Sequence, residues 1–197
     1  MITDEEPTTG ALRLPELTGP RVRLRAWRAT DAHAVREASY DPLIPLITSV
    51  PSVDSEDEAL AFVERQHDRL RTRAGYAFAI ADADDRAVGH AILQLRLAEG
   101  ARGSIGYWVC PSQRRRGYAA EALQTLTAWA RDLPELDRLE LYVEPWNEGS
   151  WRAAESAGYA REGLLRAWER VGGVPRDMYM YGQLTSQGSA RGEHGPS

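Results

Sequence analysis

A strand, a basic turn and a helix follow one another between residues 105 and 133, and this order constrains the fold strongly. The apolar run Ile105–Val109 predicts a strand that Cys110 and Pro111 interrupt. The turn Arg114–Ala119, with its glycine at 117, then leads into a helical stretch. The first N–H groups of a helix have no partner within the helix, and the helix dipole adds partial positive charge there. We therefore expect this turn to bind a phosphate or pyrophosphate group.

The composition is that of one ordinary globular domain. The chain has 197 residues, of which 43% are hydrophobic and 27% are charged, and this length can bury a sizeable core. The formal net charge is −5. A sequence-independent nucleic-acid binder usually presents a basic surface, so we expect no nucleic-acid partner.

Cysteine, histidine and hydropathy patterns exclude several other classes. Cys110 is the single cysteine, so no intramolecular disulfide can form and we expect a cytoplasmic protein. No signal-peptide pattern opens the chain, and no apolar run approaches the ~20 residues that span a bilayer, so we expect no membrane partner. The four histidines show no ligand spacing, and we predict no metal site. Cys110 is expected to be a small buried side chain.

The two ends of the chain have the composition of flexible tails. Residues 1–19 are acidic and rich in Thr, Gly and Pro, whereas residues 185–197 contain almost no apolar side chains. Such segments bury too little apolar surface to order themselves. We therefore predict one folded domain over residues 20–184.

Hydrophobic periodicity predicts seven strands and four helices in the order β-α-α-β-β-β-α-β-α-β-β. Thr30 is the expected cap of the first helix, and Ser55 with Glu58 has the spacing of a capping box. Pro42, Pro45 and Pro51 predict a flexible or binding loop. The predicted strands are 22–27, 76–81, 87–97, 102–109, 139–143, 159–168 and 174–184, and the predicted helices are 31–39, 56 to about 75, 120–133 and 150–157. Strands that form hairpins and also flank helices predict an α+β fold with a mixed sheet.

Four segments, taken together and in order, resemble the GNAT acyl-CoA-dependent N-acetyltransferases, and most closely their ribosomal-protein N-terminal (alanine) acetyltransferase branch, the Rim-type proteins. The resemblance covers roughly residues 20–184 and implies a mixed, mostly antiparallel sheet with helices on both faces. The segments are Leu24–Trp27 with Asp31-Ala32, Ile105–Val109 with Arg114–Leu123, Asn147–Ser150 with Ala157–Tyr159, and Arg161–Arg166 with Asp177–Tyr179.

The resemblance implies that the basic turn holds the pyrophosphate of coenzyme A. Arg114, Gly117 and Ala119 fill the defined positions of the family's turn, and backbone N–H groups from residue 115 to about 120 are the implied donors. These donors belong to Arg115, Arg116, Gly117, Tyr118, Ala119 and Ala120. Glycine tolerates backbone angles denied to other residues, and a small residue lets a ligand approach the backbone. A plain strand-to-helix turn with solvated arginines is the alternative.

Further coenzyme contacts are implied next to this turn. In the family the strand that ends at Trp108 and Val109 is splayed from the next strand, and its backbone binds the pantetheine arm and the oxyanion. The bland alternative is that these are core strand residues. The Asn147 amide is implied to donate to a pantetheine carbonyl, although asparagine also favours helix caps and turns.

Two residues are implied to be catalytic. Ser150 matches the serine that the Rim-type branch is thought to use as the acid toward the departing thiolate; many relatives instead have a tyrosine at the position of Ala154. A serine near a helix start is equally well explained as a cap. Glu169 matches a glutamate proposed as the base that deprotonates the amine, or it can simply pair with Arg166 and Arg170.

The predicted reaction is direct transfer of acetyl from acetyl-CoA, as cosubstrate, to a primary amine without a metal or a covalent enzyme intermediate. The preferred acceptor is a protein N-terminus of the ribosomal-protein type. A small amine such as an antibiotic or polyamine is the first alternative, and a non-catalytic acyl-CoA-binding module is an alternative of another class. The acceptor is expected to contact the 42–51 loop, the Ser55 helix and the Gly172-Gly173 hairpin. The oligomeric state is expected to be a monomer or homodimer.

Overall fold

A computed structural model describes residues 12–186 and 188–189 of the chain. The strands within this part are β1 (Leu17–Thr18), β2 (Arg23–Arg25), β3 (Gly75–Ala81), β4 (Ala87–Arg96), β5 (Arg102–Val109), β6 (Arg138–Val143), β7 (Ala160–Val171) and β8 (Val174–Leu184). The helices are α1 (Ala32–Ser39), α2 (Ile44–Ile47), α3 (Glu56–Arg71), α4 (Tyr118–Ala130) and α5 (Glu148–Ser156).

All eight strands join one sheet in the order β1-β2-β3-β4-β5-β6-β8-β7. Neighbouring strands are antiparallel except β5 and β6, which are parallel and are connected through α4. A parallel pair needs such a crossover, whereas the antiparallel pairs β3–β4 and β7–β8 need only short turns. The predicted α+β fold with a mixed, mostly antiparallel sheet is therefore confirmed.

Two clusters of buried side chains cover the two faces of the sheet. On one face α4 and α5 pack against the strands, with Leu123, Leu126 and Leu139 fully buried. On the other face α1 and α3 pack over Trp27, Phe62 and their neighbours. Burying apolar area at about 25 cal/mol per Å² is the main force that holds these layers together. The expected helices on both faces are present.

The predicted helix starts are correct in one case and wrong in another. Ser55 caps α3, and its hydroxyl accepts a hydrogen bond from the Glu58 amide at 3.4 Å. Thr30 does not cap α1, because Asp31 occupies the N-cap position after a short 3₁₀ turn, Ala29–Asp31. The Asp31 carboxylate is drawn inward by Arg25 and by the Arg28 amide.

The 42–51 loop contains a helical turn, α2, that is anchored by buried side chains. Ile44 and Val50 are each 3% exposed. The carboxylate of Asp41 accepts hydrogen bonds from the amides of Leu43 and Ile44, both at 2.9 Å. The prolines therefore lie in a loop whose two ends are held to the core.

Part of each predicted tail packs against the domain. Leu12, Leu14 and Leu17 contact the core, and β1 pairs with β2. Beyond β8, Thr185 is fully buried, and its hydroxyl donates a hydrogen bond to the carbonyl of Leu136. Residues 1–11, 187 and 190–197 lie outside the described residues, and for these residues the tails stay a prediction.

The β3–β4 turn carries an ion-pair network. Asp85 contacts three arginines of the N-terminal segment, at 3.0 Å from Arg23, 2.8 Å from Arg25 and 2.6 Å from Arg28. Arg25 is only 2% exposed, and it also binds Asp31 at 2.7 Å. This ion-pair network fixes β2 against the β3–β4 hairpin.

Candidate active site

An opening between β5 and β6 is the central feature of the candidate site. The two strands pair at only three positions, of which the last joins Ser104 to Glu140. Beyond this pair β5 continues to Val109 and β6 to Val143. The facing edges thus diverge, and their backbone groups can accept an extended ligand as an added strand.

Trp108 and Val109 lie at the open end of β5 with their side chains on opposite faces. The Trp108 ring packs against Trp27 and His90, with centroids 6.1 and 5.9 Å away. Val109 belongs to the core on the α4 side, and its Cα partner across the β4 edge is Gly89. Both side chains lie in the core. Any ligand contact at this position therefore uses the backbone edge of β5 that faces β6.

The basic turn adopts the left-handed backbone that its glycine suggested. Gly117 is the N-cap of α4 with φ +83°, and Arg115 also has a positive φ of 62°. The first helical hydrogen bond runs from the Glu121 amide to the Gly117 carbonyl at 3.1 Å. The amides of Tyr118, Ala119 and Ala120 precede that bond, so the start of α4 presents N–H groups suited to an anion.

The three arginines of this turn have different surroundings. Arg115 and Arg116 are exposed. The Arg114 guanidinium instead binds the buried carboxylate of Asp41 at 2.7 Å, and its Nε donates to the Val109 carbonyl at 3.4 Å. Arg114 therefore ties the turn to the α1–α2 loop.

Glu121, in the first turn of α4, anchors the start of β2. Its buried carboxylate accepts hydrogen bonds from the backbone amides of Arg21 and Val22 and from the Arg21 side chain. The guanidinium of Arg21 also donates to the Arg116 carbonyl at 3.0 Å. These contacts hold the basic turn in place from the N-terminal segment.

Asn147 and Ser150 lie at the start of α5. Asn147 is the N-cap, and its side-chain oxygen accepts a hydrogen bond from the Ser150 amide at 3.2 Å. The predicted capping role of asparagine is therefore observed. Because the oxygen is engaged, the amide nitrogen is the part of this side chain that can donate to a ligand.

Ser150 has a partner that the sequence did not reveal. Its hydroxyl lies 2.8 Å from the phenol of Tyr107, a residue of the part of β5 that does not pair with β6. Burial raises the pKa of Tyr107, although the hydrogen bond with Ser150 opposes that shift. The apolar run 105–109, which contains Tyr107, predicts a strand and gives no sign of this contact.

Glu169 lies on the edge strand β7, and its side chain is exposed. Its Cα partner on β8 is Arg176. Just before it, Ala167 has φ +52° and the pairing register shifts, while the Ala167 amide donates to Asp177 at 2.8 Å. This bulge re-aims the strand around Glu169.

Glu144 is a second carboxylate that sequence reasoning passed over. It follows β6 directly at the open end of the splayed pair, and it is 8% exposed. Its Oε1 lies 3.7 Å from Nε of Arg176. Arg176 therefore contacts Glu144 and is also the Cα partner of Glu169 on the neighbouring strand. The sequence placed Glu144 before a Pro-Trp-Asn turn without indicating its burial.

The α2 helix contacts the β7–β8 turn. The Leu46 side chain lies 3.4 Å from the point where a Cβ on Gly172 would stand. Trp168 of β7 stacks on Tyr142 of β6, with ring centroids 5.7 Å apart and planes 19° apart. Exposed apolar side chains of these segments are Leu46, Ile47, Val53, Trp168 and Val174.

Cys110 and His90 are buried side chains of the core. Cys110 is 1% exposed, as expected, and burial raises the pKa of its thiol to about 12. His90 is buried among aromatic rings, and desolvation lowers its pKa to about 3.

Within the described residues no group of three or more His, Cys, Asp or Glu side chains could hold a metal ion. His194 lies outside the described part of the chain. In that same part, none of the helices has the length and apolarity needed to cross a membrane.

Comparisons with known proteins agree with this geometry. A family described as "Acetyltransferase (GNAT) domain" matches residues 21–160. The chain belongs to the GNAT acetyltransferase family. It is therefore an acetyltransferase, and the predicted membership of that family is confirmed; the match spans the first three of the four sequence segments.

Individual relatives of this GNAT acetyltransferase are distant. The "Uncharacterized N-acetyltransferase p20" of Bacillus licheniformis is 27% identical over 165 residues, which cover 83% of this chain and 93% of that protein. Mycobacterium smegmatis RimJ in complex with a CoA disulfide superposes with a TM-score of 0.74 at 24% identity and covers 87% of this chain and 86% of its own. RimL, a ribosomal L7/L12 α-N-protein acetyltransferase in complex with coenzyme A, has a TM-score of 0.74 at 16% identity and covers 88% and 99%.

Proposed function

We propose that this GNAT acetyltransferase transfers acetyl from acetyl-CoA to the α-amino group of a protein N-terminus of the ribosomal-protein type. The observation that carries the proposal is the opening between β5 and β6, with the free N–H groups at the start of α4 following the open end of β5. Acetyl-CoA supplies an activated thioester. The folds of RimJ and RimL, which share this architecture, support the choice of acceptor.

The start of α4 fits the pyrophosphate of coenzyme A. Gly117 holds the left-handed turn, the amides of residues 115–120 donate hydrogen bonds, and Arg115 and Arg116 add positive charge. The pantetheine arm then follows the unpaired edge of β5 near Trp108 and Val109, with the Asn147 amide as a further donor. Arg114 supports the turn indirectly, because its side chain binds Asp41 and its amide donates to the Pro111 carbonyl.

Ser150 and Glu169 have complementary roles in this proposal. A protein N-terminus has a pKa near 8 and attacks only when neutral, so Glu169, directly or through water, removes a proton from the amine. An amide of β5 stabilises the oxyanion. Ser150 donates a hydrogen bond to the sulfur as the C–S bond breaks, and coenzyme A leaves as the thiolate.

The surface beside the opening favours a peptide over a polyamine. Its exposed side chains at Leu46, Ile47 and Trp168 are apolar. The acidic residues near the start of α3 are partly neutralised, since Arg36 binds Asp54 at 2.5 Å and Glu56 at 3.3 Å. A polycation would require unpaired acids, whereas a peptide can bury apolar side chains here.

The acceptor is tested by mass spectrometry after incubation with acetyl-CoA. One set of substrates comprises peptides with free and with chemically blocked N-termini, and a second set comprises polyamines and aminoglycosides. The chain contains no lysine, so lysine self-acetylation adds no background signal. We expect a mass increase of one acetyl group on the free N-termini alone. Acetylation of the small amines without the peptides would contradict the proposal, and binding of acetyl-CoA without any turnover would contradict it as well.

A further inference from the structure

The hydrogen bond between Tyr107 and Ser150 joins two elements across the proposed thioester site. Tyr107 lies three positions beyond Ser104, where β5 last pairs with β6. Its phenol oxygen is 2.8 Å from the Ser150 hydroxyl and 3.2 Å from the Ser150 carbonyl. A residue of β5 thus contacts the first turn of α5 through one hydroxyl.

The number of hydrogens in this pair limits what each group can do. A serine hydroxyl has one hydrogen and two lone pairs, and a phenol likewise has one hydrogen to donate. When the Ser150 hydrogen points at another acceptor, its oxygen can receive the hydrogen of Tyr107. The carbonyl of Ser150 offers that phenol hydrogen a second, longer contact, so the phenol can alternate between the two oxygens.

We propose that Tyr107 is a positioning residue for the leaving group: its phenol donates to the Ser150 hydroxyl and so directs the Ser150 hydrogen toward the departing sulfur. This inference rests on the role proposed above for Ser150. In the step concerned, the amine lone pair forms the C–N bond, the C–S electron pair goes to sulfur, and the amine proton goes to the base. Tyr107 keeps its proton throughout.

Two features of the surroundings support this role. Burial raises the pKa of Tyr107 above its ordinary value, so the phenol stays a donor across the range in which amines become neutral. Ala154, one turn beyond Ser150, is fully buried and has no hydroxyl. Tyr107 on β5 therefore supplies a tyrosine hydroxyl, whereas α5 has no tyrosine at the position of Ala154.

A double-mutant cycle tests the proposal, with Tyr107→Phe, Ser150→Ala and the double variant measured by thiol release from acetyl-CoA. The phenylalanine keeps the ring and removes one hydroxyl. We expect Y107F to lower kcat about tenfold and to leave KM for acetyl-CoA unchanged, since one hydrogen bond to the acid is lost. The double variant should be no slower than S150A, because Tyr107 acts through Ser150.

Tyr159→Phe is the matched control. The Tyr159 side chain is buried, and its hydroxyl lies 3.0 Å from the Thr127 hydroxyl, not from Ser150. Both variants lose one hydrogen-bonded phenol hydroxyl, so both should lower the melting temperature, but only Y107F should lower kcat. Multiplicative losses in the cycle, an unchanged kcat in Y107F or S150A, or an equal loss of kcat in Y159F would overturn the inference.

An error in the proposed acceptor can be distinguished from an error in the role of Tyr107. If the wild-type enzyme acetylates a small amine and no peptide, the proposed acceptor is wrong, and the same cycle is measured with that amine because the same sulfur departs. If no amine reacts, the four proteins are compared by acceptor-free hydrolysis of acetyl-CoA. A loss in Y107F that is absent from the S150A background supports the positioning role there too, and equal rates in all four proteins overturn it.

Discussion

The guanidinium of Arg114 lies 2.7 Å from the buried carboxylate of Asp41, and this ion pair links the basic turn before α4 to the loop that carries α2. The other oxygen of Asp41 accepts the amides of Leu43 and Ile44. Burial acts to raise the pKa of Asp41, but those two hydrogen bonds and Arg114 together outweigh it, and the pKa lies below its ordinary value. The proposed coenzyme and acceptor sites are thus mechanically connected.

Replacing Asp41 by Asn should loosen this connection. The side chain keeps an oxygen for the amides of Leu43 and Ile44 but loses the charge that binds Arg114. We expect a loss of about 1–3 kcal/mol in the free energy of unfolding and a several-fold rise in KM for the acceptor. Urea denaturation and steady-state kinetics measure these two effects. Asp54→Asn, which removes an exposed ion pair with Arg36, is the control, and equal effects in both variants would exclude a special role for Asp41.

Replacing Gly117 by Ala should weaken coenzyme binding. Gly117 has φ +83°, and a Cβ at this position would lie 2.7 Å from Nη2 of Arg21. Left-handed backbone costs a non-glycine residue about 1–2 kcal/mol, and Arg21 must also move. We expect a lower melting temperature and a Kd for coenzyme A raised at least about tenfold, measured by isothermal titration calorimetry.

Gly163→Ala is the matched control for that substitution. Gly163 lies on β7 without a positive φ, and a Cβ there would meet no atom within 4 Å. This variant should bind coenzyme A like the wild type. An unchanged Kd in G117A would show that the turn does not hold the coenzyme.

Replacing Glu169 by Gln tests the proposed base through its pH dependence. Without a carboxylate the amine must lose its proton to solvent, so kcat/KM should fall about 100-fold near pH 7. The loss should shrink as pH rises past ~8, where the α-amino group is already neutral. The measurement is a pH–rate profile with a peptide acceptor.

Two further variants make the assignment of the base specific. Glu162→Gln, on the same strand, removes a carboxylate that pairs with Arg138 and should leave the profile unchanged. Glu144→Gln alters the other acid beside Arg176. If E144Q shows the pH-dependent loss and E169Q does not, Glu144 is the base and the assignment of Glu169 is wrong.

Stability should depend on Asp85 in acid. Hydrogen bonds from Arg28 and then from Arg25 lower the pKa of Asp85 from 3.8 to about 2. A carboxyl whose pKa is lower in the folded state stabilises the fold above its unfolded pKa, and this contribution is lost as pH falls through the folded pKa. Thermal melts should show wild type above Asp85→Asn at about pH 6, with the difference shrinking as pH falls from ~4 to ~2. Asp84→Asn, at an exposed position of the same turn, should show no such convergence.

Local patterns in the sequence predicted most of the elements correctly. The bounds of β3, β4, β5 and β8 agree with the predicted strands to within one residue. Ser55 marked the start of α3, because a capping hydroxyl acts within a few residues of itself. The helix after the glycine turn was predicted at 120–133, but α4 begins directly after Gly117 and ends at Ala130. Asp31 instead of Thr30 occupies the N-cap position of α1, and its carboxylate binds Arg25, six residues away, rather than an amide of the helix.

For the candidate site, too, some features were predictable from local sequence and others were not. The order of segments predicted a GNAT acetyltransferase and placed Ser150 and Asn147 at a helix start, where the structure has them. It gave no sign that Ser150 contacts Tyr107, 43 positions away. It gave no sign that Arg114 binds Asp41 or that Glu144 is buried, because such contacts and burial are properties of the assembled layers.

Local sequence patterns were sufficient to predict the strand–turn–helix at the basic turn and a mixed sheet, since backbone propensity and hydrophobic period act over short distances. The family followed from the resemblance of four segments to known proteins. Which charges and hydroxyls meet depends on the folded chain: Arg114 contacts Asp41, Arg25 contacts Asp85, and Tyr107 contacts Ser150. These partners are brought together by the packing of helices on the two faces of the sheet and by the register of its strands. The basic turn is local, whereas the surface beside it that receives the acceptor is built from segments far apart in the chain.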